Sequence, residues 1–185
     1  MRRDIVWERL DRSGLEHLTL EVGADDVRAE SLVLLQLDGG LARLRYRLRA
    51  DAGWRTRSAS FQLDQGAISR SLELARDDDG WRVDGALRPD LAGCLDIDIA
   101  ATPLTNTMPI RQIDFTPDLP RRLRLVYVRV PDLTVAPMEQ DYTRLDAASP
   151  PRRFRYASPG FTAEIAVDTD GIVEDYPPGW KRRTP

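Results

Sequence analysis

Leu41-Ala-Arg-Leu-Arg-Tyr-Arg-Leu-Arg49 alternates without a break. Arg43, Arg45, Arg47 and Arg49 fall on one side of an extended chain, and Ala42, Leu44, Tyr46 and Leu48 on the other. A period of two, with one apolar and one charged side, specifies a half-buried β-strand. Asp51-Ala-Gly53 then reads as a turn, and Trp54 to Leu63 as the returning strand, with Arg55, Arg57, Ala59, Phe61 and Leu63 on one face. Together they predict a β-hairpin.

The same pattern recurs in both directions. Leu18, Leu20 and Val22 share a face, and Glu30 to Leu37 is a second early strand. Ile68 to Arg76, the turn Asp77-Asp-Asp-Gly80, and Trp81 to Leu87 make another hairpin. Leu95, Ile97 and Ile99 alternate with Asp96 and Asp98, and Arg121 to Val130 alternates throughout. Phe161, Ala163, Ile165 and Val167 lead into the turn Asp168-Thr-Asp-Gly171 and the strand Ile172 to Tyr176. Helical periodicity is scarce; the best candidate is Met138 to Leu145, and Ala147 to Arg153 reads as a loop. With 13 Pro and 12 Gly as punctuation, the sequence predicts an all-β fold with at most one or two short helices. A single large antiparallel sheet of about nine to eleven strands should curl into an incomplete, half-open barrel. The 185 residues suit one domain, 1–185.

Composition narrows the function classes. A net charge of −3 leaves no whole-chain basic footprint for nucleic acid, and 7% aromatics argues against a base-stacking surface. One His and one Cys rule out a structural zinc site built from several of them, and an intramolecular disulfide. A Ser-His-Asp triad would depend on His17 alone, no Gly-x-Ser-x-Gly surrounds a serine, and no Gly-rich nucleotide loop is present. No cofactor is expected. The basic residues are 26 Arg and only Lys181; a GC-rich genome accounts for the bias, and it favours bidentate contacts to carboxylate and phosphate. Met1 to Leu10 shows no apolar targeting core and no run is long enough to cross a bilayer, so the expectation is a cytoplasmic protein with Cys94 reduced. An assembly of like chains is compatible with all of this.

The segment richest in chemistry is Gly93 to Arg111. Asp96 and Asp98 share one side of a strand, where like charges held close would raise one pKa and allow acid–base work. The structural reading is that both face arginines, for which the row at 43–49 is a natural partner, or water. A Thr/Asn/Pro loop, Thr102 to Pro109, follows. It is read either as a polar rim of a cavity or as a crossover whose Thr105, Asn106 and Thr107 satisfy their own backbone. Asp168 to Gly171 begins like a calcium loop but has Gly179 where the pattern needs Glu, so it reads as a hairpin turn. His17 reads as a strand residue and Cys94 as a small buried apolar group.

Gly-Cys-Leu-Asp-Ile-Asp98, followed by Thr-Pro-Leu-Thr-Asn-Thr-Met-Pro-Ile-Arg111, resembles the signature of the bacterial glycolipid-binding family, formerly a domain of unknown function. Tyr46-Arg47, Trp54-Arg-Thr-Arg57, Gly80-Trp81, Val130-Pro-Asp-Leu133, Gln140-Asp-Tyr142, Val167-Asp168 through Val173, and Tyr176-Pro177 fit the same pattern, from about Trp7 to Arg183. The resemblance implies a curved antiparallel sheet wrapped into an incomplete barrel with an apolar hollow, similar to bacterial lipoprotein and glycolipid carriers. It brings no catalytic residues. Three functions follow as alternatives. The first is a non-catalytic binding protein for a lipid-like or glycolipid-like ligand. Its mouth would draw on Trp54, Arg55, Arg57, Asp96, Asp98, Thr102, Thr105, Asn106, Arg111 and Tyr142. The second is a small-molecule enzyme using Asp96 and Asp98 as acid and base, with Arg55 or Arg111 stabilising an anion. The third is an interaction module with a filled barrel and an exposed patch or edge strand.

Overall fold

The computed structural model describes residues 1–146 and 152–184, so Ala147 to Pro151 of the expected loop lies outside the described residues. The first half of the chain is a meander. It runs through β1 (Arg2–Arg9), β2 (Gly14–Val22), β3 (Asp26–Leu37), β4 (Gly40–Asp51), β5 (Thr56–Gln65), β6 (Ile68–Asp77), β7 (Gly80–Val83) and β8 (Ala86–Leu87). After β9 (Ile97–Ile99) comes the helix α1 (Leu104–Gln112). A second meander follows: β10 (Arg121–Val128), β11 (Val135–Arg144), β12 (Arg152–Ser158), β13 (Phe161–Val167), β14 (Val173–Tyr176) and β15 (Trp180–Arg182).

All fifteen strands form one sheet in the order β8-β7-β6-β5-β4-β3-β2-β1-β15-β14-β13-β12-β11-β10-β9. Every pairing is antiparallel except β9 with β10. The strand count exceeds the predicted nine to eleven because β1, β12 and β15 were not read as strands, β11 was read as helical, and the single strand expected over Trp81 to Leu87 divides into β7 and β8. The sheet curls but does not close. Residues 88–96 span the remaining gap: the Trp81 indole donates to the Cys94 carbonyl at 3.1 Å, Arg76 donates to the Leu95 carbonyl, and the Leu95 amide donates to the Arg124 carbonyl.

Strand β4 is as the alternation predicts. Ala42, Leu44, Tyr46, Leu48 and Ala50 are buried while the four arginines are exposed. The arginines pair on the outer surface, Arg45 with Asp64 and Arg47 with Glu30, where ion pairs contribute little. They do not meet Asp96 or Asp98, which lie inside the barrel, on the other side of the sheet.

Three local expectations are corrected. The strand expected from Trp54 begins at Thr56; Trp54 sits in the preceding turn at φ 64°. A bulge opposite Arg49 and Ala50 then leaves Arg57 unpaired, so Thr56, Ala59, Phe61 and Leu63 face inward and Arg55 and Arg57 face solvent. Met138 to Leu145 is not helical: it belongs to β11 and its flank, held between β10 and β12 with Gln140 and Tyr142 buried. The Thr102–Pro109 loop is mostly α1. Thr, Asn and Pro are poor helix formers, and Pro109 inside the helix removes a donor. Burial overrides propensity here, because every residue from Leu104 to Ile110 is buried. The Thr102 hydroxyl opens the helix by accepting the Leu104 amide at 3.0 Å. Leu104 and Met108 join the larger core with Trp7, Tyr46, Phe61 and Trp81, while Ile110 joins a smaller one around Phe115, Phe154 and Tyr156. The helix therefore fills much of the hollow and joins the two halves of the sheet.

Candidate functional site

Hydrogen-bonded polar groups line the inside of the barrel around α1. Glu16 of β2 is fully buried. Ser31 and Tyr46 donate to its Oε1 at 2.8 and 2.6 Å, and the Tyr46 oxygen lies 3.3 Å from Thr102 Oγ1, so this group ties α1 to the first meander. Burial pushes Glu16 up to about 7, against the lowering effect of its hydrogen bonds to Thr102, Tyr46 and Ser31. A raised carboxyl pKa stabilises the fold at low pH and loses that contribution as pH rises, here from about 4.5 to about 7. Glu16→Gln keeps the volume and an acceptor oxygen. It is expected to raise stability at pH 8 by roughly 3 kcal/mol relative to its effect at pH 4. Urea unfolding of both proteins at the two pH values checks this; parallel pH profiles would show that Glu16 ionises freely.

Asp96 and Asp98, expected as a close pair, have separate partners. Asp96 accepts from the Thr56 amide and hydroxyl, the Ile97 amide and Gln112 Nε2. Asp98 accepts from the Thr105 hydroxyl at 3.0 Å and from Gln140 Nε2 at 2.6 Å. Burial raises the pKa of both.

Of the two, Asp98 lines a cavity. This inner cavity, about 330 Å³, lies between the start of α1 and the second meander. Asp98, Ile99, Thr102 and Asn106 form one wall, and Tyr127 and Met138 the next. Tyr156, Phe161 and Tyr176 form the third, as a triangle of rings with centroids 6.1, 5.9 and 6.1 Å apart. Trp180 and the Arg9–Asp11 ion pair stand at the rim. Burial first, and then the nearby Asp98 charge, keeps the Tyr127 phenol protonated. Burial and the neighbouring phenol and Asp98 do the same for Tyr176. Among the described residues, neither hydroxyl donates a hydrogen bond to protein. Such a wall can stack on an apolar ring face while the phenols and Asp98 bind hydroxyls.

The predicted site residues are divided between two places. Asp98, Thr102 and Asn106 line the cavity; Thr105 and Tyr142 stand behind them, bonded to Asp98 and to Asn106 Oδ1. Trp54, Asp96 and Arg111 form a separate cluster, in which the Arg111 guanidinium lies 4.9 Å from the Trp54 ring centroid and Gln112 bridges the Trp54 carbonyl and Asp96. Arg55 and Arg57 lie on the surface, Arg57 paired with Asp51. The sequence reading missed Tyr127, Tyr156, Phe161, Tyr176 and Trp180. Their signal is aromatic residues at inward positions of successive strands, but it is legible only once the strand order is known.

A larger hollow, about 600 Å³, lies elsewhere. It is a groove on the outer face of β1–β6, lined by Arg2, Glu21, Arg28, Glu30, Arg47 and Arg49. Its walls are largely side chains that already pair with one another, such as Arg2 with Glu21 and Arg47 with Glu30, as expected for the saddle of a twisted sheet. The smaller inner cavity is the better candidate because its polar groups converge and part of their bonding capacity is unused. Among the described residues, no three His, Cys, Asp or Glu side chains gather as a metal site.

A family model described as "Putative glycolipid-binding" matches residues 4–182. A crystal structure of a DUF1089 family protein from Pseudomonas aeruginosa is similar, with a TM-score of 0.78 and 35% sequence identity over 93% of this chain and 95% of that one. A search of curated proteins finds no match.

Proposed function

The chain belongs to the family described as "Putative glycolipid-binding", and on that premise we propose that its inner cavity binds the polar head of an amphipathic, sugar-bearing molecule without chemical change. The observation that carries the reading is the Tyr156–Phe161–Tyr176 wall beside Asp98. Aromatic faces suit the apolar face of a sugar ring, and the phenols with Asp98 suit its hydroxyls. The rim supports an apolar tail. Phe161, which lines the cavity, is also exposed to solvent, so an apolar group can leave the cavity along its ring. Asp98 already accepts two hydrogen bonds, which favours a positioning role over proton transfer.

Octyl glucoside below its micelle concentration is a direct probe. Native mass spectrometry is expected to show a one-to-one complex. Tyr176→Ala is expected to weaken it at least tenfold, about 1.4 kcal/mol, with the circular dichroism spectrum unchanged. Equal binding by the variant, or no complex with the parent protein, would withdraw the cavity as the site.

A further inference from the structure

We propose that the open edge of β6 at Ser69–Ser71 receives an extended segment of another protein, which adds to the sheet as a short strand. Strand β7 pairs with β6 only at Leu74–Asp77, and Asp84 closes one more position, its amide donating to the Glu73 carbonyl and its carboxylate accepting the Glu73 amide. In an antiparallel ladder, backbone groups point alternately to the two neighbours. Since Glu73 bonds outward, so do the amides and carbonyls of Ser71 and Ser69, and among the described residues no backbone group pairs with them. They border a groove of about 480 Å³, whose opposite wall is Asp132–Val135 and whose apolar lining includes Leu72, Val83 and Leu133. An unpaired edge beside a groove is a template for strand addition.

Charge selects the occupant. Arg70, on the β6 side of the groove, has no ion-pair partner among the described residues, whereas Arg88 is taken by Asp90. Of the carboxylates in the lining, Asp84 accepts the Glu73 amide and Asp132 belongs to the opposite wall, so the charge next to the open edge is that of Arg70. A second copy of this chain fits poorly. Pairing Ser69 with Ser71 of a like strand sets Arg70 against Arg70, and like charges directly opposite are destabilising. Sliding one way meets Glu73, already closed by Asp84, and sliding the other runs out of β6 at Ile68. The segment that fits carries an acidic side chain opposite Arg70 and, two residues along, an aliphatic one opposite Leu72.

The test uses two fluorescein-labelled octapeptides, one with a Glu-Thr-Leu centre and one with Lys-Thr-Leu, titrated into the full chain by anisotropy. The Glu peptide is expected to bind at least tenfold more tightly, and Arg70→Glu to reverse the order. Ser71→Pro removes one outward amide at an edge that tolerates proline, so it should abolish both complexes without moving Tm. Three results overturn the proposal: no binding of either peptide at millimolar concentration, the same preference after Arg70→Glu, or a Ser71-dependent dimer on gel filtration. The last would assign the edge to a second copy.

Discussion

Trp54→Ala is expected to lower unfolding stability by about 3–5 kcal/mol, the range for emptying a buried aromatic site. The ring is 4% exposed and belongs to the larger core. Its loss would also strand the Arg111 guanidinium stacked on it, a contact worth roughly 0.5–2 kcal/mol where solvent is partly excluded. The backbone adds a separate check. Trp54 holds φ 64°, a region glycine enters without strain. Trp54→Gly should therefore be no worse than Trp54→Ala. Urea unfolding measures both; a loss below about 1 kcal/mol for the alanine variant would mean that the ring contributes no packing.

The second large effect is at Asp96. Its two oxygens accept from four donors, and Thr56, Ile97 and Gln112 lie on three different parts of the chain. Asp96→Ala leaves those donors unmatched in a site the residue itself keeps fully buried, and is expected to cost about 3–5 kcal/mol. Asp96→Asn retains one acceptor oxygen and should lose less. By contrast, Asp98→Asn keeps an oxygen that either Thr105 or Gln140 can use, so its expected penalty is smaller than that of Asp96→Asn. Thermal unfolding of the three variants ranks them. An Asp98→Asn loss equal to that of Asp96→Ala would show that Asp98, too, is a structural anchor.

The fold was legible where apolar and charged residues alternate without a break along a strand. Strand β4 is the clearest case, since Arg43 to Arg49 alternate with buried residues along its whole length. Where both faces are buried, alternation misleads or is lost: β9 was read as a strand from Ile97 and Ile99 alternating with Asp98, yet all three are buried, so its polar side is not a wet one. Helix α1 failed to register for the same reason: Leu104 to Ile110 is buried on every side, so it has no amphipathic period, and its Thr, Asn and Pro suggest a loop. The bulge at Arg57 reversed the sidedness inferred for Arg55 and Arg57, because one inserted residue inverts everything on one side of it. In the candidate site, Asp98, Thr102 and Asn106 were reachable from their own motif. The aromatic wall was not, since Tyr156, Phe161 and Tyr176 come together through strand pairing rather than through any spacing in the chain.

The side-by-side placement of β1 and β15 has a consequence for how this chain acquires its structure. Each meander is built from hairpins between neighbours in sequence, which close quickly because their loops are short. The two meanders meet at one three-residue ladder, and contacts such as Arg183 with Glu8 join positions 175 residues apart. A pairing of such long range cannot help nucleate folding and must await both halves. During synthesis the first meander would emerge with the free edge of β1 unpaired and the hollow not yet filled by α1. That interval, rather than the finished barrel, is when the protein is most open to aggregation.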